Sequence, residues 1–200
     1  GYDLTNLTVM INADATGTVT ISNCGATSGV NIRSTVDAKA NLVIRNCSLD
    51  GGGMAADPNF QLIKVWCPVT LEYSFIADAP AAIYAGGGVA TIRYNVMEGF
   101  GQNQGTGLDK GHANAIYIAG GGSAIDIAYN TIYSEAGPTA AYPLTGLGAA
   151  IGLFGDGGSY TNAVIDHNTL VSAFPDAASY LIGFYPTSAS ETATGSVTNN

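Results

Sequence analysis

Positive charge is scarce in this 200-residue chain: Lys+Arg total 6 against 15 Asp+Glu, a formal net charge of -9. So acidic a chain does not track a phosphate backbone, and nucleic acid is excluded as an expected partner. Cysteine is scarce too. Cys24, Cys47 and Cys67 are too few and too odd in number for a disulfide framework, and none has zinc-site spacing. No apolar run reaches about 18 residues, so no membrane span is expected. Asp126, Asp156 and Asp166 are scattered and form no nonapeptide calcium repeat. No metal and no cofactor are therefore expected.

What the chain does have is 27 Gly, 46% apolar residues and only 10% charge. Those proportions describe a large buried core under a neutral surface rich in Thr, Ser, Asn and Gly. They are laid out as a repeat. Asn114–Tyr133 reads as two alternating apolar runs separated by Gly120-Gly121-Gly122, then Asn130 and another apolar pair. Alternation marks strands with one buried face, and the glycines mark a tight bend. The second run recurs as Val19-Thr-Ile-Ser-Asn-Cys24, Val43-Ile-Arg-Asn-Cys47, Val69-Thr-Leu-Glu-Tyr-Ser74, Ala90-Thr-Ile-Arg-Tyr-Asn95, Ile125-Asp-Ile-Ala-Tyr-Asn130, Val164-Ile-Asp-His-Asn168 and Val197-Thr-Asn-Asn200. Three short strands per period cannot bury an apolar face alone, so each turn must stack on the next.

The expected fold is all-β, a single domain over residues 1–200 with about six to seven coils. These residues resemble the right-handed parallel β-helix of the pectin lyase-like superfamily. The marker column Cys24, Cys47, Ser74, Asn95, Asn130, Asn168 and Asn200 resembles that family's internal ladder, in which stacked amides bond from coil to coil. Two Cys and a Ser in its first three places are a departure, so those coils must satisfy the bend otherwise. Cys24 and Cys47 lie one coil apart, near the roughly 4.4–6.8 Å window for a bridge, but stacked inward thiols are expected to stay reduced. Gly1 without a Met or secretory leader suggests a processed or truncated product. The abrupt stop at the ladder position Asn200 suggests a longer polypeptide, or a homo-oligomer or further chain that caps the open end.

Outward positions of the second strands place Arg45, Glu72 and Arg93 in one row, most simply a solvated structural row, and His167 beside the Asn ladder as a structural group. The first strands put Arg33, Lys64, Tyr84, Tyr117, Gly152 and Gly183 in one outward column, with Trp66, Gly86, Ala119, Phe154 and Tyr185 beside it. Aromatics along one face of a solenoid offer apolar platforms to sugar rings, so Lys64, Trp66, Tyr84, Tyr117, Phe154 and Tyr185 are the candidate polysaccharide-binding residues. Burial of these rings under long loops is the competing reading.

Two connections after third strands, Glu98–Ala113 and Ser134–Gly148, are longer than a bend needs. The first holds Glu98, Asp109, Lys110 and His112, the densest ionisable cluster, with Asp78 in the preceding coil's equivalent loop. Asp109, Lys110 and His112 are the candidate catalytic residues. The resemblance implies a lyase, with Lys110 or His112 as base, or a hydrolase using Asp109 with Asp78 or Glu98. The paired Asp-Asp, Arg-x-Lys and Asp-Pro-His-Glu elements of that family's enzymes are absent. The expected function is recognition, with or without cleavage, of a polysaccharide in an extracellular or cell-surface setting. The alternative is a non-enzymatic adhesin segment or phage tail fibre or spike module.

Overall fold

The computed structural model describes residues 1–52, 61–79, 81–100, 114–134, 150–172 and 181–200. They form a parallel β-helix of about seven coils, three sheets of seven strands each. The first-strand sheet runs from Thr8–Ile11 through Asn31–Ser34, Gln61–Val65, Ala81–Ala85, Ile116–Ala119 and Ile151–Phe154 to Ile182–Tyr185. The second-strand sheet begins at Thr18–Ser22 and ends at Ala193–Thr198, and the third runs from Tyr2–Asp3 to Thr169–Ser172. Every strand pairing is parallel.

Alternation explains the core. Ile32, Ile63, Ile83, Ile116 and Ile151 lie in register on successive first strands, all fully buried. Ile44, Leu71, Ile92, Ile127 and Ile165 do the same on the second sheet, and Leu49, Ile76, Met97 and Ile132 on the third. Each such side chain contributes about 1.5–3 kcal/mol by leaving water, and β-branched residues suit the pleat. A one-residue slip in any strand would turn its column to solvent, so register is strongly specified.

The three bends are built differently. Between first and second strands, glycines let backbones touch: a Cβ on Gly121, itself at φ +77°, would stand 2.6 Å from the Ser159 carbonyl oxygen. The bend between second and third strands uses one left-handed residue per coil: Asn23, Asn46, Tyr73, Tyr94, Tyr129, His167 and Asn199, with φ from 51° to 58°. The connections from third to first strands carry 53–60, 80, 101–113, 135–149 and 173–180, all outside the described residues. The third strand Val96–Phe100 runs further than the sequence suggested, so Glu98 belongs to a strand. Phe100 is fully buried there, after a register shift between Met97 and Phe100.

The marker column is an amide ladder over its last four coils. Asn95 Nδ2 donates to Asn130 Oδ1 at 2.9 Å, Asn130 to Asn168 at 2.9 Å, and Asn168 to Asn200 at 2.8 Å. Each Asn also donates to a second-strand carbonyl, as Asn130 does to Ile92 at 2.8 Å. Earlier coils use smaller groups: the Ser74 hydroxyl donates to the Glu72 carbonyl at 2.9 Å, and the Cys47 thiol to the Arg45 carbonyl at 3.3 Å. Cys24, Cys47 and Cys67 are free thiols.

Candidate functional site

The outward column of the first-strand sheet forms with the expected register: Arg33 opposite Lys64, then Tyr84, Tyr117, Gly152 and Gly183. The glycines are not gaps. A Cβ on Gly152 would meet Phe154 Cε2 at 2.5 Å, and one on Gly183 would meet Tyr185 Cε2 at 2.7 Å. Each aromatic thus folds back over the glycine two residues before it and enters the column. A Cβ on Gly86 would likewise meet the Trp66 ring of the preceding coil, at 2.2 Å from Cε3.

The result is one continuous aromatic stack. Tyr84 lies on Tyr117 with centroids 4.8 Å apart, Tyr117 on Phe154 at 3.9 Å, and Phe154 on Tyr185 at 4.6 Å, with interplanar angles of 18°, 2° and 13°. Ring faces inside the stack are therefore occupied by other rings, and Tyr117 is only 5% exposed. The Trp66 end differs. Its ring meets Tyr84 edge-on at 63° and 5.2 Å, and Lys64 Nζ lies 5.2 Å from the Tyr84 centroid, within cation–π range. Among the described residues Lys64 has no carboxylate within salt-bridge distance.

Asp156, at the left-handed position of the bend after Ile151–Phe154, brings a carboxylate to this column. Its Oδ2 accepts from the Tyr117 hydroxyl at 3.4 Å. Burial first, and the nearby Asp156 charge second, push the Tyr84 phenol up to about 12 and Tyr117 higher still. At neutral pH both are therefore protonated phenols.

Lys64, Trp66, Tyr84, Tyr117, Phe154 and Tyr185 are thus brought together on one face. Asp109, Lys110 and His112 lie outside the described residues, in a connection that leads into Ile116–Ala119 of the same sheet. Asp78 and Glu98 sit on adjacent coils, where the Asp78 backbone N–H donates to the Glu98 carbonyl at 3.2 Å. No group of three or more His, Cys, Asp or Glu side chains that could hold a metal occurs among the described residues. Nor, among them, is any helix long and apolar enough to cross a membrane.

The sequence reading missed a second aromatic row. Tyr73, Tyr94, Tyr129 and His167 stack at the second bend with centroids 5.1, 5.0 and 5.0 Å apart. The signal was present, since each precedes the marker residue, but the strand pattern alone does not say that this position points outward. His167 also bonds through Nδ1 to Asp166 Oδ2 at 2.6 Å. The Arg45, Glu72, Arg93 row resolves into separate pairs: Arg45 with Glu72 at 3.7 Å, and Arg93 reaching diagonally to Asp126 with both Nε and Nη2. No family model matches the chain, and no curated protein or solved structure is significantly similar to it.

Proposed function

We propose that this protein binds a polysaccharide along the outer face of its first-strand sheet, in an extracellular or cell-surface setting. The observation that carries the reading is the Lys64–Trp66–Tyr84 end of the aromatic column. There a tryptophan stands off the stack beside an ammonium with no described carboxylate partner. A ring that meets its aromatic neighbour edge-on and not face-to-face keeps area for the C–H face of a sugar, and an ammonium fixes orientation by bonding ring hydroxyls or a carboxylate. The likeness to the pectin lyase-like superfamily supports the same class of ligand. Cleavage is the finer part of the proposal and rests on Asp109, Lys110 and His112, with lyase or hydrolase chemistry as its two forms.

A second reading has its own support. Ring faces spent on each other staple coil to coil, which is what a stiff adhesin segment or phage tail fibre or spike needs. Affinity electrophoresis through acidic and neutral polysaccharides, with assays for reducing ends and unsaturated products, separates the two. The binding reading expects retardation that Trp66→Ala weakens at least fivefold while the fold is kept. Cleavage expects product formation that His112→Ala abolishes. A folded protein retarded by no polymer leaves the structural reading.

A further inference from the structure

A second surface lies at the corner between the second- and third-strand sheets, the corner that borders no strand of the first-strand sheet. Tyr73, Tyr94 and Tyr129 are 57%, 43% and 45% exposed there, and His167 continues the row. Two residues further on, Phe75 and Val96 stand in register on the third-strand sheet, 36% and 44% exposed. Large apolar side chains are seldom left in water as a contiguous set without a use.

The row is preorganised. Interplanar angles of 2°, 8° and 17° hold the rings parallel, and the left-handed backbone fixes where each leaves the coil. Left-handed φ is unfavourable for a bulky residue, and three tyrosines in succession accept it. Asn occupies this same position at Asn23, Asn46 and Asn199, so a tyrosine is not what the bend requires.

The charges beside the row are engaged within the protein. Arg45 pairs with Glu72 and Arg93 with Asp126, and the Asp166 carboxylate is held by hydrogen bonds with His167, Thr198 and Asn199. A surface of phenol edges whose neighbouring charged groups already have partners suits a neutral ligand that offers C–H groups and hydroxyls together. The exposed area, on the order of 300 Å² if each of the three tyrosines shows about half of its 150–250 Å², is less than half of the roughly 800 Å² a partner buries in a standard protein interface. That favours a narrow, linear occupant over a second protein. Parallel rings about 5 Å apart present one phenol edge per coil to a chain lying along the solenoid axis.

We infer that the Tyr73–Tyr94–Tyr129 ridge is a binding track for a neutral polysaccharide, separate from the first-strand face. The test is affinity electrophoresis of the full chain through gels holding hydroxyethylcellulose, laminarin or galactomannan. The variants are Tyr94→Asn/Tyr129→Asn, which take the residue that other coils already carry at this bend, and Trp66→Ala as the first-strand control. Expected are retardation of the parent by at least one polymer, a loss of tenfold or more in affinity when the double Asn change is made either in the parent or in the Trp66→Ala background, and indifference to added salt. Three outcomes overturn it: no retardation of the parent by any of these polymers, loss only in Trp66→Ala, or no ridge-dependent retardation together with a concentration-dependent dimer that the double Asn variant abolishes. Because each face has its own variant, failure of the ridge leaves the first-strand proposal standing, and the reverse holds.

Discussion

The first three coils and the last four solve the same bend with different chemistry. From Asn95 to Asn168 each marker side chain donates to the next amide and to a second-strand carbonyl, and each oxygen from Asn95 to Asn200 accepts from the coil before. At Ser74, Cys47 and Cys24 the donor serves carbonyls only, and the bonds made by sulfur are longer or weaker. The aromatic stacks follow the same division. Parallel rings run from Tyr84 to Tyr185 on one face, and on the other from Tyr73, one coil before the ladder begins, to His167. Stiffness along the axis is thus concentrated in the last coils, where each coil is tied to the next by amides within and rings without. The earlier coils rely on aliphatic packing, as at Ile32, Leu42 and Ile44, all fully buried.

The largest effect expected from this difference is at Asn130. Asn130→Ala removes donors to Ile92 and Asn168 and leaves the Asn95 amide and side chain without their acceptor. Unsatisfied buried groups cost about 1–3 kcal/mol each, so chemical denaturation should show a loss of about 3 kcal/mol or more. Cys47→Ala, at the same place in the weak half, should cost about 1 kcal/mol, the scale of a small buried group. Equal losses at the two sites would break the comparison.

Next comes Gly152→Ala. Its Cβ would stand 2.5 Å from Phe154 and 2.9 Å from Asn114 Nδ2, so the ring must leave the stack. Overpacking of this kind costs about 1–3 kcal/mol, measurable as a lower Tm together with altered near-ultraviolet dichroism from Tyr117 and its neighbours. Gly25→Ala, in the first coils, meets only one atom within 4 Å, at 4.0 Å. It should be close to neutral.

The end of the solenoid should also carry a pH signature through Asp166, where the sixth coil meets the seventh. Hydrogen bonds from Thr198 and then His167 lower Asp166 from its ordinary 3.8 to about 2. A folded value below the unfolded one means that its contribution is complete above about pH 4 and is lost as pH falls toward 2. Asp166→Asn should therefore flatten the decline of Tm across that window. The smallest effect is expected at Glu72→Gln, which breaks a half-exposed pair at 3.7 Å and should cost less than about 0.5 kcal/mol.

The architecture was legible in the residues because a period-two strand and a recurring Asn marker carry their geometry with them. Inward columns and the register of Arg33, Lys64, Tyr84 and Tyr117 follow from alternation, and the Asn ladder was what the resemblance to the pectin lyase-like superfamily implied. The first-strand face was legible only as a set of residues. That Phe154 and Tyr185 swing back over Gly152 and Gly183 depends on a hole left by a missing Cβ, which spacing does not show.

Sequence by itself therefore determined a coil count of about six to seven, the strand faces and which backbone positions share a column, since alternation and stacking are local rules applied repeatedly. Tertiary structure alone decided how the side chains of a column meet. Arg93 chooses Asp126 across a diagonal in place of Glu72 beside it, and the tyrosines at the second bend form an outward stack. These choices depend on distances between neighbouring coils and on left-handed backbone at single residues. Both are fixed only when the coils are laid on one another.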